Sequence, residues 1–166
     1  MRKIAAAFSA LLLLTVFNAG AALGAANGTN RPYNDSGSAI LSINLATLEV
    51  ALAGTRNATH LGLSTSTASN VMIDLSGLGQ NLIGVTFNDT ITAANGDELY
   101  TTATSTIDIS NLGTGPLAFS AVENITGGTG RFDGASGSFT STGSVTLDLS
   151  TGTGLLTFKS TGTISY

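Results

Sequence analysis

Leu155-Leu156-Thr157-Phe158-Lys159-Ser160-Thr161-Gly162-Thr163-Ile164-Ser165-Tyr166 decides the fold. Leu156, Phe158, Ile164 and Tyr166 share one parity, with Ser160 and Gly162 between them. The other parity reads Leu155, Thr157, Lys159, Thr161, Thr163 and Ser165. Successive side chains of a strand point to opposite faces, so alternation of this kind marks a strand with one buried face. Thr suits the outward face, because its β-branch fits a pleated surface while its hydroxyl stays in water.

The same period recurs upstream. Val145, Leu147 and Leu149 alternate with Thr146, Asp148 and Ser150, and Ile107 and Ile109 flank Asp108. Ile83, Val85 and Phe87 alternate around Gly84 and Thr86, and Val71, Ile73 and Leu75 around Met72 and Asp74. Ile40 to Leu52 is ambiguous: Leu41, Ile43 and Leu45 share one parity, and Leu48, Val50 and Leu52 the other. A bulge near Ala46-Thr47 or a short helix accounts for the switch, and the bulged strand is preferred because everything downstream is β. Asn95-Gly96 predicts a two-residue type I′ hairpin, which needs positive φ at both residues. Glycines at 77, 79, 113, 127, 128, 143 and 152 mark further turns. The spacing predicts an all-β fold, a small antiparallel β-barrel of about eight strands over residues 39–166, preceded by a polar lead-in at 27–38. No fixed repeat period is evident, which counts against a β-solenoid.

Composition narrows the function. The 166 residues contain no Cys, one His and six basic residues, while Ser and Thr together number 43. Thiolate metal sites, disulfides and Cys nucleophiles are excluded, and so few cations argue against nucleic acid. No cofactor or metal site is read: the densest acidic cluster, Asn95-Gly96-Asp97-Glu98, is explained by its turn. At the N-terminus, Arg2 and Lys3 precede a largely apolar run from Ile4 to Phe17 and then small residues to Ala26. This is the layout of a cleaved secretory signal peptide over residues 1–26, cut around residues 21–26, and the run is short for a membrane span. The expectation is a bacterial protein, secreted or periplasmic, with no stable membrane insertion. Four basic residues would remain against ten acids.

Gly127-Gly128-Thr129-Gly130-Arg131-Phe132-Asp133-Gly134-Ala135-Ser136-Gly137 is followed by a further β pattern, Ser138 to Thr142, and not by the helix that a phosphate-binding loop requires. A tight turn leading into a strand with a glycine kink fits better. Through Gly127, Gly128, Thr129, Gly130, Phe132, Ala135 and Gly137 the segment resembles the signature of the dirigent-like proteins and the allene oxide cyclase barrel superfamily. The resemblance covers residues 60–166 and implies a hairpin within an eight-stranded antiparallel barrel whose interior holds a small apolar molecule. It places no catalytic residue on this chain.

Three residues are candidate ligand contacts. Glu123 shares parity with Leu117, Phe119, Ala121 and Ile125, which aims it inward if the strand is unbroken. A twist or bulge after Val122 would leave it at the rim, the preferred reading because unpaired buried acids are rare. Tyr100 could face the lumen or the surface. Arg131 is a surface residue by default, pairing with Asp133, and otherwise a ligand clamp. His60 is expected to face solvent. Three function classes fit: a secreted binding or scaffold barrel, a cavity enzyme of isomerase or cyclase type, and a surface structural or adhesin-like protein, of which an outer-membrane barrel is a variant. The first is preferred, and a homo-oligomer is compatible with it.

Overall fold

The computed structural model describes residues 28–166, apart from 45 and 48. The predicted signal peptide lies outside the described residues. Eight strands run in order: β1 (Arg31–Ile43), β2 (Val50–Ala58), β3 (Gly62–Asp74), β4 (Leu82–Ala93), β5 (Glu98–Asp108), β6 (Leu117–Gly128), β7 (Ser136–Asp148) and β8 (Thr153–Ser165). Each pairs antiparallel with its sequence neighbours, and β1 pairs with β8, closing the barrel. The expected eight-stranded barrel is therefore the observed fold. One circuit of pairings from Arg31 through Ile164, Ile125 and Asp89 returns to β1 near Leu41, about ten residues on, so the strands are strongly tilted.

Alternation explains both faces. Phe158, Ser160 and Ile164 of β8 are buried, whereas Thr157, Lys159, Thr161 and Thr163 are exposed. Threonines pair across the outer wall, with Thr86 opposite Thr104 and Thr140 opposite Thr161. A barrel immersed in lipid needs the reverse disposition, an apolar outer band around a polar interior.

Three local expectations are corrected. Residues 31–38 belong to β1 and are not a lead-in: Tyr33 and Asp35 are buried while Pro32, Asn34 and Ser36 are exposed, so the polar residues there are one face of a strand. Ile40 to Leu52 is neither a bulged strand nor a helix but a hairpin, closed by Asn44 N–H to the Glu49 carbonyl at 2.8 Å. Leu41 pairs with Leu52 and Ile43 with Val50, and reversal of the chain puts opposite parities on one face. Register shifts occur elsewhere: in β3, where Asn70 takes φ 52 and the pairing slips between Ser69 and Met72, moving the inward parity from Ala68 to Val71, and between β5 and β6, where Tyr100 pairs with Gly127 but Thr101 with Ile125. At Asn95-Gly96 only Gly96 has positive φ (87), and Gly96 N–H donates to the Ala93 carbonyl at 2.9 Å. The loop is thus a turn followed by one left-handed residue, not type I′.

The two ends of the barrel differ. At one, Phe132, carried on a 3-10 turn between β6 and β7, fills the lumen with Leu61, Ile91, Leu99, Phe139 and Ile164. Tyr33 stacks on Phe139 with ring centroids 4.5 Å apart, and Phe132 meets Tyr166 edge-on at 5.0 Å. His60 seals this end and does not face solvent freely. Its Nε2 lies 2.9 Å from the Pro32 carbonyl, which can only accept, so Nδ1 accepts from the Tyr166 hydroxyl at 3.2 Å.

The other end is open, and its loops repeat one device at unequal spacing. Ile73-Asp74-Leu75-Ser76, Ile107-Asp108-Ile109-Ser110 and Leu147-Asp148-Leu149-Ser150 each end a strand with an Asp whose Oδ1 accepts the N–H two residues on, at 2.9 Å in all three. Asn44 does the same for Ala46 at 3.0 Å. These Asx turns follow directly on the last lumen-facing residue of their strands. Ser76, Ser110 and Ser150 donors hold the Asp74, Asp108 and Asp148 carboxyls below the usual range.

Gly137, in the glycine-rich hairpin, has φ 134, and a Cβ there would meet the Thr163 carbonyl of β8. Gly137→Ala is expected to lower stability by about 2 kcal/mol, read as a lower urea midpoint with unchanged slope.

Candidate functional site

The open half of the lumen is a cup of about 150 Å³. Ile43 and Leu52 on one side, and Val85, Ile107, Phe119 and Leu156 around the rest, form its apolar wall. Its floor is polar: Arg56, Ser66, Asp89, Ser105, Glu123 and Ser141 border it. An apolar enclosure of this volume takes up molecules of benzene size.

Arg56 is the centre of the floor. It projects inward from β2 on the parity of Leu52 and Ala58, and its side chain is only 5% exposed. Its Nε lies 3.3 Å from Asp35 Oδ2, and its Nη2 3.6 Å from Asp89 Oδ2. The guanidinium also covers the Phe158 ring at 4.9 Å, a cation–π contact that gains from the dry surroundings. Its hydrogen-bonding capacity is nevertheless unmet. Nε and Nη1 are buried without a hydrogen-bond partner, because the Asp35 contact lies off the N–H direction, and Asp35 Oδ1 is unpartnered as well.

Glu123 faces this floor, contrary to the preferred rim reading. The β6 strand continues unbroken through Val122 in register with β5 and β7, so parity holds and Glu123 is buried. The objection to a buried acid is answered by its donors: Ser141 Oγ donates to Oε1 at 2.7 Å and Thr101 Oγ1 to Oε2 at 3.4 Å. Ser141 also meets Ser160 at 2.8 Å, extending the network to β8. Tyr33 donates to Asp35 at 3.3 Å and ties the filled end to the floor.

Three acids therefore surround one guanidinium. Burial raises the pKa of Glu123, Asp89 and Asp35, and the Arg56 charge pulls each back only in part. Full ionisation would leave uncompensated negative charge in a dry site, so the cluster retains protons that exposed carboxyls would release. Burial likewise raises the Tyr33 hydroxyl.

The other candidates lie elsewhere. Tyr100 faces outward, because Leu99 and Thr101 take the inward parity, and its hydroxyl donates to Glu98 at 2.6 Å. Arg131 stands beyond the filled end, 3.6 Å from Asp97 and not paired with Asp133, with its guanidinium over the Phe132 ring. Neither borders the cup. The turn residues Gly127, Gly128, Gly130, Phe132 and Gly137, with Asn95 and Gly96, all belong to the filled end, where Phe132 plugs the lumen. Arg56, Asp89 and Asp35, which sequence reasoning missed, each carry the signal that singled out Glu123: a charged residue in phase with apolar ones on its strand.

Comparison with family models, with curated proteins and with solved structures finds no match to this chain.

A carboxyl whose pKa is raised on folding binds its proton more tightly in the folded state. Its stabilisation is complete below the unfolded value and is lost as pH rises through the folded one. Urea stability is expected to decline as pH rises above 4.5, the ordinary glutamate value, and Glu123→Gln to flatten that decline. Parallel pH profiles for parent and variant would contradict an ionisable buried Glu123.

Proposed function

We propose that the protein is an exported bacterial β-barrel that acts as a binding module, holding a small apolar molecule in its open end. The observation that carries this reading is the cup itself: an apolar wall open at one end and closed below by a polar floor. A lumen meant only for stability would be filled throughout, as the opposite end is by Phe132, Phe139 and Leu99. The resemblance of residues 127–137 to the dirigent-like and allene oxide cyclase superfamily supports the same assignment, as does the layout of residues 1–26 for export.

A second reading is a cavity enzyme of isomerase or cyclase type. It is favoured by Glu123, a buried carboxyl of raised pKa at the base of an apolar cavity, a setting suited to proton transfer. Binding without turnover is preferred, because the Glu123 oxygens are already engaged by Ser141 and Thr101.

Toluene titrated into methyl-labelled protein is expected to shift the methyl resonances of Val85, Ile107 and Leu156 in the cup while leaving Leu63 and Leu155 on the outer wall unmoved. Val85→Trp, which fills the cup, should abolish the shifts in a protein that keeps its β circular dichroism. Toluene shifts spread over the outer wall would contradict the reading. Mass spectrometry of the protein recovered from the producing cell is expected to show a chain beginning between residues 21 and 27.

A further inference from the structure

We propose, resting on the reading of the open end as a binding cup, that the molecule held there is a small apolar alcohol whose hydroxyl pairs with the free hydroxyls of Ser66 and Ser105. Six serine and threonine side chains are buried among the described residues: Ser64, Ser66, Thr101, Ser105, Ser141 and Ser160. Four of them are engaged. Ser64 donates to the Arg56 carbonyl at 3.3 Å, Thr101 and Ser141 donate to Glu123, and Ser160 meets Ser141 at 2.8 Å. Ser66 and Ser105 make no side-chain hydrogen bond among the described residues, and their oxygens are not sealed in, unlike Arg56 Nε and Nη1 and Asp35 Oδ1. They are the most exposed of the six, at 9% and 6%, and both border the cup.

The strand register explains why these two stand free. Ser66 lies between Gly54 and Ile91, and Ser105 between Val85 and Ala121, none of which carries a polar side-chain atom. A hydroxyl donates once and accepts twice, so an alcohol meets it in both directions, whereas a ketone or an ether only accepts. A hydroxyl left unpaired in an apolar cavity is costly, and a partner arriving with the ligand removes that cost. The site also resists charge. Burial raises the carboxyls of Asp35, Asp89 and Glu123 even beside Arg56. A carboxylate or ammonium head would be stripped of water in the same surroundings, next to groups already committed to one another. The apolar wall and the volume of about 150 Å³ confine the rest of the molecule to one ring or a short chain.

Five probes of similar size separate the cases: benzyl alcohol, its isomer anisole, ethylbenzene, benzoate and benzylammonium. Each is titrated calorimetrically into the parent protein and into the double variant Ser66→Ala, Ser105→Ala, which removes two oxygens and little else. Benzyl alcohol and ethylbenzene are expected to bind the parent. The double variant should weaken benzyl alcohol about fivefold or more, weaken anisole less, and leave ethylbenzene within about twofold. Benzyl alcohol within twofold of the parent, anisole weakened as much as benzyl alcohol, or benzoate or benzylammonium bound more tightly than benzyl alcohol overturns the alcohol subsite while leaving the cup intact. Failure of both benzyl alcohol and ethylbenzene to bind the parent overturns the cup and the subsite together. If the variant does not fold, diffraction from parent crystals soaked in benzyl alcohol gives the answer. A ligand oxygen within about 3 Å of Ser66 or Ser105 Oγ supports the subsite, and one turned toward the mouth overturns it.

Discussion

The pairing of β1 with β8 is the constraint on which everything else rests. Closure removes both sheet edges, in a chain with a single Lys on its strands to guard them. It also turns seven hairpins into a container. Asp35, Arg56, Asp89, Glu123, Ser141 and Ser160 come from six different strands, and only a ring brings them to one level. In an open sheet of the same register, Asp35 on β1 would stand far from Glu123 on β6, and each charge would need its own answer to burial.

Within that ring the chain spends its apolar residues unevenly. Large rings and branched side chains pack the end that carries the glycine-rich hairpin, where Phe132, Phe139 and Tyr33 interlock. Toward the other end the wall is still apolar, but nothing projects far enough to fill the axis. The polar layer between the two is held from both sides, by Tyr33 from the packed end and by Phe158 under the Arg56 guanidinium. A buried cluster with more acids than bases is an expensive arrangement for stability alone, since an apolar layer of equal volume would be at least as stable. The cluster lies at the base of an open apolar space.

Much of the architecture was legible in the residues, and for a physical reason. A strand with one wet and one dry face writes its orientation into every second residue, so β8, β7 and β4 could be placed from Phe158, Val145 and Val85 with their neighbours. The same rule aimed Glu123 inward, and the preference for the rim failed because the donors Ser141 and Thr101 lie on neighbouring strands, invisible along β6. Arg56 escaped notice because β2, with Ala51, Ala53 and Gly54 among its residues, has little contrast between faces. The first hairpin was misjudged because a change of parity has two causes, a bulge and a reversal, and residues 44–49 lack the glycine that usually marks the second. The shared mouth loops were hidden by unequal spacing, since the strands between them differ in length.

Diffraction from crystals pressurised with xenon tests the central claim most directly, because xenon is apolar, small and visible wherever a dry cavity admits it. Xenon is expected inside the open end of the barrel, between Val85, Ile107 and Leu156 and above the Arg56 layer. A lumen collapsed onto itself with xenon only on the outer wall, or none at all, would contradict it.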